Sequence, residues 1–269
     1  MDQQDNEWAA LREFGAVNWL GLWTLYAKEV QRFSKIWLQT IAAPAMISLL
    51  FLAVFSLVLG RSGRDVGGVP FVEFLAPGLI MMSIIQNSFQ NATSTLMISK
   101  IQGNIVDVLM PPLSPAELML GFALGGATRG IIVAIISGIA LYIFVPFSLA
   151  SVWPIAVFAV LAAMALSVMG VIVGIWAYKF DDIATITNFI VTPLAFLSGT
   201  FYSVERLPPF FRALSQVNPI FYMIDGFRSG FIGQSDASAA VALAVLVSLN
   251  AVLWTICYFL FAKGFKLKT

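Results

Sequence analysis

The stretch Ile36-Trp-Leu-Gln-Thr-Ile-Ala-Ala-Pro-Ala-Met-Ile-Ser-Leu-Leu-Phe-Leu-Ala-Val-Phe-Ser-Leu-Val-Leu59 runs for 24 residues without a charged side chain. As a helix it reaches about 36 Å at 1.5 Å per residue, enough to cross roughly 30 Å of hydrocarbon. Working outward, five further segments have the same character: 74–99, 118–144, 154–178, 183–201 and 237–262. The second is rich in Ser, Asn, Gln and Thr, and the third carries one internal charge, Arg129. The fold class predicted is therefore all-α, a polytopic membrane protein with six transmembrane helices.

Composition agrees with a bilayer as solvent. Of 269 residues, 59% are hydrophobic and 11% charged, against roughly 25% charged in a soluble domain. Mean hydropathy is +0.90. The chain has no histidine and one cysteine, Cys257, which excludes imidazole chemistry and an intramolecular disulfide framework. A net charge of +1 gives no reason to expect nucleic acid. The polar start, Met1 to Glu13, lacks the apolar core of a cleavable signal peptide.

Orientation follows from Lys and Arg in the short flanks. With the N-terminus inside, Arg12, Lys28, Arg32, Lys35, Lys100, Lys179, Lys263, Lys266 and Lys268 are cytoplasmic. Arg61, Arg64, Arg206, Arg212 and Arg228 are then outside. The asymmetry predicts both termini in the cytoplasm. The chain thus divides into a cytoplasmic N-terminus with a helix (1–35), a membrane domain (36–262) and a cytoplasmic tail (263–269).

Four segments carry mechanism. Ahead of the first span, Trp19, Trp23, Tyr26, Val30, Phe33 and Trp37 recur at helical spacing, with Lys28, Arg32 and Lys35 opposite. That pattern predicts a helix lying in the headgroup region, the alternative being an extension of the first span into an aromatic belt. After the second span, Ile101, Ile105, Val108 and Leu109 form an apolar face against Lys100, Gln102, Asn104 and Asp107, and Pro111-Pro112 ends the helix. This short helix is either a docking surface for a soluble partner or an ordinary surface helix.

Within the second span, Ser83, Asn87, Gln90, Asn91 and Ser94 share one face. They either hydrogen-bond to neighbouring helices or line a substrate path, since polar side chains avoid lipid. Arg129 reads as a side chain snorkelling to the cytoplasmic interface or as a functional charge. The pairs Gly121/Gly125, Gly126/Gly130 and Gly170/Gly174 permit close helix packing. Between the last two spans, Leu207–Gly230 contains two apolar pieces too short to cross, broken at Asn218-Pro219. Pro208, Asn218, Pro219, Asp225 and Arg228 mark this pair of re-entrant helices, with Asp225 and Arg228 spaced to pair.

No Gly-Lys dipeptide occurs, so there is no phosphate-cradling nucleotide loop. Asp181-Asp182 fits a turn between the fourth and fifth spans better than a metal site. No catalytic constellation stands out.

Taken in order, Phe74-Leu-Ala-Pro-Gly-Leu-Ile-Met-Met82, Gly103-Asn-Ile-Val-Asp107, Met110-Pro-Pro-Leu-Ser-Pro115 and Gly125-Gly-Ala-Thr-Arg-Gly130 resemble the ABC-2-type permeases of bacterial exporters. The likeness continues through Lys179-Phe-Asp-Asp182, Thr192-Pro-Leu194, Gly199-Thr-Phe-Tyr-Ser203, Leu207-Pro-Pro-Phe210 and Asn218-Pro-Ile-Phe-Tyr-Met223. The resemblance implies a homodimer in the bacterial inner membrane, capped by two separate ABC ATPase subunits that hold the ATP and Mg. It implies no cofactor in this chain and no enzyme activity of its own. It places ATPase contacts on the N-terminal helix, with Lys28 and Arg32, and on the loop with Lys100, Gln102, Asn104 and Asp107. Cargo of the family includes drugs, polysaccharides and nodulation factors, so a hydrophobic, amphipathic or polysaccharide/lipid-linked substrate is expected. The rival reading is an ion-coupled secondary transporter or channel, which generally needs ionisable residues near the midplane; Arg129 alone qualifies.

Overall fold

A computed structural model describes residues 17–59, 65, 66, 68–204 and 207–266. The acidic N-terminal stretch with Arg12, and Arg61, Arg64, Arg206 and Lys268, lie outside the described residues. The described chain is helical apart from a two-residue strand pair, β1 (Asp65–Val66) and β2 (Val69–Pro70), antiparallel with Val66 opposite Val69.

Helix α1 (Trp19–Lys35) starts at Asn18, whose side chain accepts the Gly21 N–H. The first span is a π turn, Leu38–Ala42, running into α2 (Ala43–Leu59). Pro44 stands two residues past the turn; proline cannot bond to the preceding turn, and a wider π turn accommodates its ring. The second span is α3 (Phe71–Ile101), followed by the five-residue α4 (Ile105–Leu109). A capping box of Ser114 and Glu117 with Pro115 at the first position opens α5 (Pro115–Phe144). Next come α6 (Val152–Trp176) and a fifth span made of α7 (Phe180–Ile186), a π turn (Thr187–Val191) and α8 (Thr192–Leu197). Pro193 repeats the device seen at Pro44. Finally α9 (Pro209–Val217) and α10 (Pro219–Ile232) precede α11 (Ala239–Lys263).

Among the described residues, six helices are long and apolar enough to cross a membrane. They differ sharply in cover: 83% of the apolar window of α3 is buried, against 17% for the first span, 11% for the fifth and 17% for the last. So α3 is the axis of the bundle, flanked by α5 and α6. This explains its polar sequence: a helix enclosed by protein needs no lipid-compatible face, and Ser83, Asn87, Asn91 and Thr95 find partners on its neighbours. The glycine pairs allow the approach. A Cβ on Gly130 would fall 1.9 Å from Ser88 Oγ, one on Gly126 2.1 Å from Ser167 Oγ, and one on Gly170 2.5 Å from the Phe89 carbonyl.

Candidate functional site

Helix α1 lies along α5. Its buried residues are Leu22, Leu25, Glu29 and Phe33, and the floor beneath them is Gly121, where Leu25 sits, and Gly125, where Glu29 sits. Trp19, Trp23 and Trp37 are 71%, 64% and 59% exposed, so the aromatic stripe flanks the packed face and meets it at Phe33. The burial arc lies between the stripe and the basic residues, because the two glycines of α5 offer the closest approach there. Lys28 and Lys35 remain exposed, and Arg32 turns into the protein.

The start of α1 is tied to the start of α5. The Asn18 N–H donates to Glu117 Oε1, and Asn18 Nδ2 donates to the Pro112 carbonyl at 3.2 Å. The other oxygen of Glu117 accepts the Ser114 N–H at 2.6 Å. One carboxylate thus joins both N-caps, where the partial positive charge of two helix ends favours it. Sequence reading missed this role; the Ser-x-x-Glu box at 114–117 was its visible half. Beside the tie opens a cleft of about 390 Å³ lined by Asn18, Leu20, Gly21, Thr24, Leu25, Lys28, Asp107 and Pro111–Leu113. Gln102, Asn104 and Asp107 are exposed along the same loop. Ile105 is buried as the apolar anchor of α4, whereas Ile101 is 58% exposed. Gly103, at φ 73°, separates α4 from α3, which a side chain would resist.

Lys100 is differently placed from its loop neighbours. Half-buried, it donates its ammonium to the carbonyls of Ile175 and, at 3.2 Å, Ala177, capping the end of α6. Lys266 donates to the Trp176 carbonyl at 3.2 Å and lies 4.3 Å from the centre of the Tyr178 ring. The ends of α3, α6 and α11 are therefore fastened together at the α1 end of the bundle.

The polar face of α3 points in two directions. Ser83 Oγ is 3.0 Å from Ser48 Oγ on α2, and Asn87 accepts Arg129 Nη2 at 3.2 Å. Asn91 accepts Arg32 Nη2 at 2.9 Å. Gln90 is exposed and Ser94 half-buried. Together Ser48, Ser83, Gln86, Asn87 and Gln90 line a cleft against Pro44, Ile47 and Phe51. Arg129 does not snorkel: it is 8% exposed and held inside the bundle by Asn87. Glu29, 1% exposed, accepts Thr95 Oγ1 at 2.6 Å and lies 3.4 Å from Arg32. Burial raises its carboxyl above the ordinary 4.5, with Arg32 opposing. Sequence reading missed this glutamate altogether, since one acid on a basic helix carries no pattern.

At the opposite end, α9 and α10 break at Asn218, whose Oδ1 caps Ile220 at 3.0 Å while Nδ2 donates to Leu194 O and Ser198 Oγ. Pro208 caps α9 and Pro219 opens α10. Asp225 and Arg228 do not pair with each other. Asp225 accepts Ser235 Oγ and the N–H groups of Asp236 and Ala237, ordering the chain ahead of α11. Arg228 donates to Gly199 O at 2.8 Å and stacks 3.7 Å over the Phe74 ring. Both are buried; three residues apart on a helix, each found a better partner on another element.

A bundle of six membrane-crossing helices, a partly exposed helix clipped to a loop at one end and a buried polar seam through its centre define a multi-pass membrane permease. The chain belongs to the ABC-2 type transporter family, which matches residues 21–232. It is 38% identical over 252 residues to the inner membrane transport permease YadH of Escherichia coli K12, covering 93% of this chain and 98% of that one. It is also similar to nodulation protein J of Sinorhizobium fredii, 23% identical over 89% of this chain and 90% of the relative. The same protein from Rhizobium leguminosarum bv. viciae is 25% identical over 86% and 89%. Family and relatives support a transport subunit in the inner membrane that works with an ATP-binding partner.

Proposed function

We propose that the chain is the membrane-spanning subunit of an exporter, assembled as a homodimer on two copies of a separate ATPase. It moves a hydrophobic, amphipathic or lipid-linked substrate, with both termini on the cytoplasmic side. The observation that carries this reading is the Glu117 tie. A push delivered at the cleft between α1 and the α4 loop, which Lys28 and Asp107 both line, reaches α5 through Asn18 and Glu117. The same push reaches α6 through Lys100. A rigid-body response of packed helices then follows, with no chemistry in this chain.

Dimerisation is supported by the cleft between α2 and α3. Its polar wall of Ser48, Gln86, Asn87 and Gln90 is unfavourable against lipid, and a second copy would enclose it as part of a path. The test is to purify the chain together with its ATP-binding partner subunit. Asp107→Lys together with Lys28→Glu should leave expression and ATP hydrolysis intact and abolish export. Normal export from that variant, or ATP hydrolysis by this subunit alone, refutes the assignment.

A further inference from the structure

Asn87 and Asn91 stand one turn apart on α3, about 6 Å along its axis, and each holds a guanidinium. Arg129 Nη2 donates to Asn87 Oδ1, and Arg32 Nη2 donates to Asn91 Oδ1 and to the Asn91 carbonyl at 3.1 Å. Among the described residues, the carboxylate bonded within this seam is Glu29, on Arg32. Of the two guanidiniums only Arg32 has a bonded carboxylate here, and burial favours the neutral form of that acid. Positive charge is left over.

The hydrogen bonding is unbalanced in the same sense. Arg32 Nε, Asn91 Nδ2 and Arg129 Nε are buried without a partner. All three are donors, so the seam lacks an acceptor. Buried donors normally find one.

Position narrows the chemistry. Arg32 precedes the first span, which begins at Leu38, by six residues. Helix α3 has 31 residues, about 46 Å in length, and so outreaches the roughly 30 Å hydrocarbon core. Arg32 thus lies at headgroup level on the α1 side, and Asn87 and Arg129, at the middle of α3 and α5, lie deeper along the same seam. Its mouth is Arg32, whose side chain is 28% exposed. Next to it, Asn87 and Gln90 border the cleft between α2 and α3.

We propose that Arg32 and Arg129 form a binding site for a phosphate group, supplied by the headgroup of a lipid in the leaflet on the α1 side. A phosphodiester offers acceptor oxygens only, and the planar fork of arginine matches it in geometry and charge. The site does not depend on the ATPase-coupling reading and can hold whether or not that reading does.

The test uses the purified permease in dodecyl maltoside, with thermal shift and binding measured for three probes: phosphatidylglycerol, phosphate-free diacylglycerol and inorganic phosphate. Phosphatidylglycerol should bind saturably and raise the melting temperature, and diacylglycerol should not. Arg129→Met and Arg32→Met should each weaken phosphatidylglycerol about ten-fold, the loss of one charge-assisted contact. Removing a buried guanidinium that has no carboxylate partner leaves no orphaned charge, so Arg129→Met should fold. If it does not, the wild-type comparison of phosphatidylglycerol with diacylglycerol decides alone. An equal arginine-dependent shift from inorganic phosphate supports the phosphate site and overturns its lipid source. Equal binding of diacylglycerol, or phosphatidylglycerol binding unchanged in both variants, overturns the site.

Discussion

Replacing Glu117 by alanine removes one carboxylate and unfastens two helices. In the intact protein Glu117 accepts the backbone N–H groups of Asn18 and Ser114, while its own N–H donates to Ser114 Oγ at 3.3 Å. A hydrogen bond to a charged group contributes about 1.5–3 kcal/mol net, so two set an upper bound of about 6 kcal/mol. Ser114 is exposed, so water replaces the lost acceptor there; Asn18, 8% exposed, has no such recourse. The expected loss is therefore about 2–3 kcal/mol, concentrated at Asn18. At roughly 2–4 °C per kcal/mol for a domain of this size, the melting temperature should fall by about 4–12 °C. Glu117→Gln keeps one acceptor oxygen and should lose about half as much. The functional consequence follows from geometry: α1 stays against α5 through Leu22, Leu25 and Phe33 but no longer pulls on its first turn. Reconstituted with its ATPase, the alanine variant should hydrolyse ATP while moving less substrate per ATP. Thermal melts and a hydrolysis-to-transport ratio in vesicles measure both effects. A melting temperature within about 1 °C of the parent, with an unchanged ratio, would refute the idea that this carboxylate couples the helices.

Two further predictions concern the interior. Gly130→Ala should destabilise by about 1–3 kcal/mol through overpacking, because its Cβ meets Ser88 Oγ at 1.9 Å. Ser88 Oγ has no hydrogen-bond partner, so adding Ser88→Ala should restore more than half of the loss, and a double-mutant cycle of melting temperatures reports the coupling. Glu29 gives a pH dependence. Its folded carboxyl is raised above 4.5 by burial, so the folded protein binds this proton more tightly than the unfolded chain. Its contribution is fully present below pH 4.5 and is lost as pH rises through the folded value. Glu29→Gln, which can still accept from Thr95, should flatten stability across that window; an identical pH profile in parent and variant contradicts the assignment.

Much of the architecture was readable from the chain because it depends on quantities local to the sequence. Run length against bilayer thickness predicted six spans, as many as the candidate membrane helices among the described residues, and the Asn218-Pro219 break announced a helix end. The second span looked weakest as a membrane helix and proved the most enclosed, since polar side chains that are unfavourable against lipid are satisfied against protein. Which way α1 faces, where Arg129 and Lys100 end up, and why Asp225 and Arg228 ignore each other were not readable. Each depends on a partner remote in sequence: Glu117 for Asn18, Asn87 for Arg129, the α6 carbonyls for Lys100, Gly199 for Arg228. Helical periodicity tells which residues share a face, but only the packed neighbours decide which face is covered. In a bilayer apolar burial discriminates little between faces, so close-approach glycines and scattered polar groups make that choice.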